Sequence, residues 1–178
     1  MIRDFEGNAP EIAQSAYVDD TALVIGNVTL GAASSIWPMT VVRGDIQQIR
    51  IGTRSNIQDG SILHVTHASE YKPGGSPLTV GDEVTVGHGV ILHACTVGNR
   101  CLIGMGSIIM DDAVIEDGAM IGAGSLVNGG KQIEGGYLWL GRPARRVREL
   151  TPQEKEYIGY SAAHYVKVMQ RHKDSASR

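Results

Sequence analysis

A six-residue rhythm of branched aliphatics constrains this chain more than any other feature. Val18, Val24, Leu30, Ile36 and Val42 form one series; Ile51, Ile57 and Leu63 a second; Val80, Val86 and Leu92 a third; Val97, Ile103, Ile109, Ile115, Ile121 and Val127 a fourth. Four residues after the aliphatic stands a small or branched side chain: Ala22, Val28, Ser34, Thr40, Ser55, Ser61, Val84, Val90, Thr96, Cys101, Ser107, Ala113, Ala119 and Ser125. A helix repeats its apolar face every 3.6 residues and a strand alternates every two, so neither sustains this period. A coil of short strands with a corner every sixth residue does, and each coil buries its aliphatics against the next. Glycines directly after the aliphatic, as at Gly52, Gly98 and Gly104, mark close backbone approach.

The pattern resembles the left-handed hexapeptide β-helix family. That resemblance implies three hexads per coil, a triangular prism and a left hand. Residues 68–78 break the rhythm, are rich in Gly and Pro, and read as an extruded loop. Leu63 to Leu92 is 29 residues, and removing an eleven-residue insertion leaves eighteen, one coil. His64 and His93 directly follow these two aliphatics. They are expected to stack on adjacent coils with their side chains outward. Asp59 and His88 are related in the same way through Ile57 and Val86.

His88 and His93 are separated by five residues of extended chain, roughly 16 Å at ~3.3 Å per residue. Zinc–nitrogen bonds are only ~2.0–2.1 Å long, so one copy of the chain should not bring both to one metal. A second copy can supply the missing ligand, and a homotrimer fits a three-sided prism, with the site repeated at every interface. A lone outward histidine is ordinarily a solvated surface residue. Three of them, two in register beside a polar cluster, are read as a metal site.

Composition narrows the alternatives. Gly is high at 23 and Phe stands at one, as a narrow core of small aliphatics requires. A net charge of −3 suggests no nucleic-acid partner. No apolar run approaches the ~20 residues of a membrane span, and no apolar segment follows Arg3, so neither membrane insertion nor a signal peptide is expected. The expected location is cytoplasmic. Cys101 occupies an inward slot of the repeat. Cys95, two residues past His93, is read as structural, with a spare-ligand role as the alternative.

The polar cluster is Arg43-Gly44-Asp45 followed by Asn56-Ile57-Gln58-Asp59-Gly60. Taken with His64 and with the Gly87-His88 to His93 stretch, it is similar to the γ-class carbonic anhydrases and their bacterial homologues. The similarity covers nearly the whole chain, through Gly141-Arg142-Pro143-Ala144 and the last helix. It implies a zinc ion on His64, His88 and His93, with His88 from the adjacent subunit, and a zinc-bound hydroxide that attacks carbon dioxide to give bicarbonate. Iron or cobalt would also accept three imidazoles. By the same resemblance Gln58 orients the hydroxide and Asn56 is an active-site amide. Arg43 and Asp59 lie near bicarbonate and in interface ion pairs, and Asp45 is an interface carboxylate. An ordinary salt-bridge network at an interface is the other reading of Arg43, Asp45 and Asp59. Ile46 and His67 stand where the archaeal member of the class carries glutamates linked to proton shuttling, which implies slow or absent turnover. His67 is either a substitute shuttle or a solvated loop residue. Tyr160 is a further candidate pocket residue.

The domain expected over 1–150 is the β-helix; an α-helix follows over 151–173 and a disordered tail over 174–178. Thr151-Pro152-Gln153-Glu154 reads as a capping box, and Ile158, Ala162, Tyr165 and Met169 recur at helical spacing to pack on the prism. The arginine run 142–148 reads as a salt-bridged surface, with an anion or coenzyme A site as the alternative. Two other functions fit the fold. One is a hexapeptide-repeat acyltransferase or thioesterase using coenzyme A. The other is a catalytically weak zinc-binding trimeric scaffold.

Overall fold

The structure, a computed structural model, describes residues 1–176. It is a left-handed parallel β-helix of about eight turns, closed by an α-helix over Pro152–Ala176. Three strand columns make the three faces of the prism. The first pairs Val41↔Ile62↔Ile91↔Ile108↔Leu126 from coil to coil. The second runs Thr29↔Arg50↔Thr79↔Thr96↔Val114↔Gln132. The third stacks Ser35–Ile36, Asn56–Ile57, Thr85–Val86, Leu102–Ile103, Met120–Ile121 and Tyr137–Gly141, and ends in an antiparallel hairpin with Ala144–Glu149. The long strand Val41–Ile51 bends round the corner and joins the first two faces into one sheet.

The hexad aliphatics point inward as the period requires. Val42, Ile57, Leu63, Val86, Leu92, Ile103, Ile109, Ile115 and Ile121 are all completely buried. The rhythm continues beyond Val127 through buried Ile133 and Trp139. Close stacking explains the glycines: a Cβ on Gly104 would lie 2.5 Å from the Ala123 backbone nitrogen. The outward positions differ sharply between faces. The second face shows mainly Thr, Arg and Gln, whereas the first shows an aliphatic column, Val41, Ile62, Ile91, Ile108 and Leu126. On this column Ile62 is 45% exposed.

One corner departs from the six-residue spacing. Between Leu92 and Val97 the step is five, so Cys95 fills the inward slot and is 1% exposed, while Thr96 faces outward. The shorter corner turns on Ala94, whose φ of 46° lies in the left-handed region. Burial pushes the Cys95 thiol up, which favours the reading of this sulfur as a core side chain.

The insertion is held at its base by a bridge between Thr66 and Ser76, and Leu78 is already back in the core. The C-terminal helix lies on the third face. Ile158, Ala162 and Met169 are buried against the prism, and Tyr165 meets Trp37 edge-on at 5.4 Å. Its N-terminus is a capping box: the Thr151 N–H donates to Glu154 Oε2 at 2.9 Å, and the Glu154 N–H donates to Thr151 Oγ1 at 3.2 Å. Hydrogen bonding from Arg148, then from Thr151, lowers the Glu154 carboxyl to about 2. The helix continues to Ala176, past the expected tail boundary, and Gln170 donates to Asp174 one turn on at 2.8 Å. Residues 174–176 are therefore helical, and Ser177 and Arg178 lie outside the described residues. Within the arginine run, Arg146 pairs with Glu134 and Arg148 with Glu154. Among the described residues, no helix is long and apolar enough to cross a membrane.

Candidate metal centre

The candidate residues fall into two hydrogen-bonded clusters. The first is built where the first face ends. His64 and His93 are direct partners in adjacent strands, and their rings lie 5.2 Å apart. Nδ1 of His64 faces Nε2 of His93 at 3.2 Å. The other nitrogen of each ring meets a carboxylate: His64 Nε2 lies 3.2 Å from Asp45 Oδ1, and His93 Nδ1 lies 2.6 Å from Asp111 Oδ1. Arg43 donates to the second oxygen of Asp45 at 2.6 Å, and the Thr66 hydroxyl donates to the second oxygen of Asp111. Gly44 is required between Arg43 and Asp45, because a Cβ there would sit 2.6 Å from the Asn27 carbonyl oxygen.

These contacts settle the protons. Burial would raise the Asp45 carboxyl, but hydrogen bonds from Arg43 and His64 outweigh it and hold the group below the ordinary carboxylate range. At Asp111 burial is likewise outweighed by hydrogen bonds from Thr66 and His93. An ionised carboxylate only accepts, so His64 Nε2 and His93 Nδ1 must carry the hydrogens. In neutral rings His64 Nδ1 and His93 Nε2 then present bare lone pairs to each other at 3.2 Å. Burial lowers the His64 pKa, which disfavours bridging the gap with an extra proton. A cation between the rings removes the conflict. Two Zn–N bonds of ~2.0–2.1 Å at a tetrahedral angle place their nitrogens roughly 3.3 Å apart. The pair therefore fits a metal.

A pH response follows. The unfolded chain protonates His64 near 6.5, before the folded chain does, so stability is lost as pH falls through that value. Asp45 and Asp111 stay ionised longer in the folded chain, so a second loss begins as pH falls through 3.8. Metal-free protein is expected to weaken in these two steps on acidification, with the upper step flattened in His64→Gln. Denaturation midpoints measured across the acidic range check both.

The second cluster lies on the third face. His88 Nδ1 meets Asp59 Oδ2 at 2.9 Å, and both side chains are about half exposed. Beside them a hydrogen-bond chain runs inward. Gln58 donates to Asn56 Oδ1 at 3.0 Å, Asn56 donates to Thr85 Oγ1 at 3.0 Å, and Thr85 shares a hydrogen bond with Ser161 of the helix. This uses one of the two Gln58 amide hydrogens and leaves its oxygen as an acceptor. Gln58, His88, Met105, Tyr157 and Tyr165 line a largely apolar groove of about 410 Å³. Tyr160 is 61% exposed and stacks on His164 at 5.8 Å, whereas Tyr157 and Tyr165 of the same helix reach the groove. Ile46 and His67 border a separate recess with Asp45. Among the described residues, no three His, Cys, Asp or Glu side chains of one chain converge as a metal-holding group. Asp111, Thr66 and Thr85 are site neighbours that motif reading misses. Asp111 could have been found by register, since it lies two residues past Ile109, the coil partner of Leu92.

The comparisons with known proteins agree with the fold. The bacterial transferase hexapeptide (six repeats) family matches residues 94–129. Protein YrdA of Escherichia coli is 51% identical over 100% of this chain and 97% of its own. The carbonic anhydrase of Geobacillus kaustophilus is 45% identical over 99% of this chain and 97% of its own. The crystal structure of a Bacillus cereus protein named as an acetyltransferase superposes with a TM-score of 0.91 at 44% identity, covering 97% of this chain and 96% of that one.

Proposed function

The chain belongs to the γ-class carbonic anhydrase-like family of hexapeptide-repeat proteins, and on that premise we propose that it is a zinc-dependent homotrimer that interconverts carbon dioxide and bicarbonate. The observation that carries this reading is the pair of imidazole nitrogens, His64 Nδ1 and His93 Nε2, facing each other with their outer nitrogens held by carboxylates. Carboxylate–histidine pairs of this kind orient metal ligands and raise their basicity.

The two clusters are complementary halves. One edge of the prism offers His64 and His93 with Arg43 and Asp45; another offers His88 and Asp59 with Gln58 and Asn56. Docking the first edge of one copy against the second edge of the next would complete a three-histidine set. The outward aliphatic column Val41, Ile62, Ile91, Ile108 and Leu126 supports such an assembly. It lies on the face that ends at His64 and His93, and a solvated face would favour polar residues there, as the second face does. Cyclic closure through that face places one site at each of three interfaces.

Three histidines leave an open position, where bound zinc would acidify a coordinated water from 15.7 to about 7. In this assembly the Gln58 oxygen accepts a hydrogen bond and fixes the orientation of the attacking group. The apolar groove admits carbon dioxide, and the Arg43 guanidinium attracts the bicarbonate product. Asp59 orients His88 as Asp45 and Asp111 orient their rings. His67 and Ile46 stand where the resemblance puts the family's shuttle carboxylates, and the His67 ring nitrogens can accept and donate a proton in their place. The working compartment is the cytoplasm.

The test is metal content on protein purified without a histidine tag, beside His88→Ala. About one zinc per chain, lost in the variant, together with carbon dioxide hydration, is the expected result. An intact trimer without metal would sink the proposal and direct attention to acyl-coenzyme A substrates.

A further inference from the structure

We infer that Asp111 is the positioning residue of His93, and that the insertion after His64 braces it through Thr66. The inference rests on the zinc reading above and adds residues outside the three-histidine set. Asp111 uses both oxygens: Oδ1 faces His93 Nδ1 at 2.6 Å, and Oδ2 accepts from the Thr66 hydroxyl. The first contact requires the Nδ1–H tautomer, which leaves the Nε2 lone pair aimed at His64. The second fixes the carboxylate, so the ring it holds cannot turn freely about χ2.

Thr66 and Asp111 are 45 residues apart and meet at the base of the loop. Thr66 and Ser76 close the base of the insertion as a bridge. Ser76 donates to Asp112 Oδ1 at 2.7 Å, and Lys72 donates to Asp112 Oδ2 at 2.6 Å. Two adjacent aspartates on one turn thus divide the work: Asp112 ties down the loop, and Asp111 receives Thr66 at the loop's base and passes the constraint to His93. His64 has its own carboxylate in Asp45 within the first cluster, held by Arg43. Each stacked histidine is therefore steered by a separate acid, and each acid by a separate donor.

Asp111→Asn, Thr66→Val and Lys72→Ala in the full chain test this by two readouts. The first is zinc affinity by chelator competition. Asp111→Asn should weaken it about 10–100-fold, Thr66→Val severalfold, and Lys72→Ala less than either, with the metal-free proteins still folded, Asp111→Asn melting below the parent because it loses the stabilising carboxylate. The second is the His93 tautomer in metal-free parent protein, read from nitrogen-15 shifts. The Nδ1–H form is expected, shifting toward Nε2–H in Asp111→Asn. Unchanged zinc affinity in Asp111→Asn and Thr66→Val, or a parent His93 in the Nε2–H form, would overturn the inference. If the parent takes up no zinc at all, the proposed function fails, and the tautomer measurement still decides the role of Asp111.

Discussion

Ile57→Ala should cost about 2–5 kcal/mol of folding free energy, the range for truncating a fully buried isoleucine in a core that cannot collapse around the gap. Ile57 has no exposed surface and pairs with Ile36 on one coil and Val86 on the next, so the cavity would open inside a one-dimensional stack. The damage should not stay local to the core. Asn56 and Gln58 flank Ile57, and their side chains carry the hydrogen-bond chain to Thr85 and Ser161. Loss of helix docking should therefore accompany the loss of stability. Ile62→Ala, five residues on but outward, should leave the fold of the single chain within about 0.5 kcal/mol. It should instead weaken association of copies. Denaturant midpoints measure the first effect; sedimentation at graded concentration measures the second. Equal destabilisation by both substitutions would contradict the assignment of inside and outside.

The contrast between these two isoleucines shows what the sequence makes legible. Inward positions repeat every sixth residue, so Ile57 and Leu63 are found by counting. Outward positions carry no steric demand of their own, and the aliphatic column through Ile62 becomes visible only when coils are aligned. The stacking of His64 on His93 follows from the length of the insertion, because removing it restores one coil. The short corner at Ala94 is not legible, since the left-handed conformation there is held by tertiary stacking and not by a glycine. That corner exchanges the environments of Cys95 and Thr96. It also separates the hydrogen-bond partners His93 and Asp111 from any simple motif. Tyr157, Tyr160 and Tyr165 share a helix, and only packing against the prism decides that the first and last reach the groove.

Mixing two inactive variants should restore activity. His64→Ala removes a ligand from the first cluster and leaves the second cluster whole; His88→Ala does the reverse. Each alone should lose zinc and carbon dioxide hydration at every interface, since a site with two histidines lacks the third protein ligand of a catalytic centre. In a trimer assembled from equal amounts of both, an interface is intact when the His64→Ala chain supplies His88 and the His88→Ala chain supplies His64 and His93. With random assortment around a closed ring, about one interface in four meets that condition. Refolding the variants together should therefore return roughly a quarter of the parent's zinc and turnover. Refolding them separately and mixing without exchange should return none. A site made within one chain would give no recovery under either protocol, because every chain would carry its own defect. The geometry agrees with that outcome for a shared site: Arg43, Asp45, His64, His93 and Asp111 make up one cluster and Asp59 and His88 another, and among the described residues no three His, Cys, Asp or Glu side chains of a single chain converge as a metal-holding group.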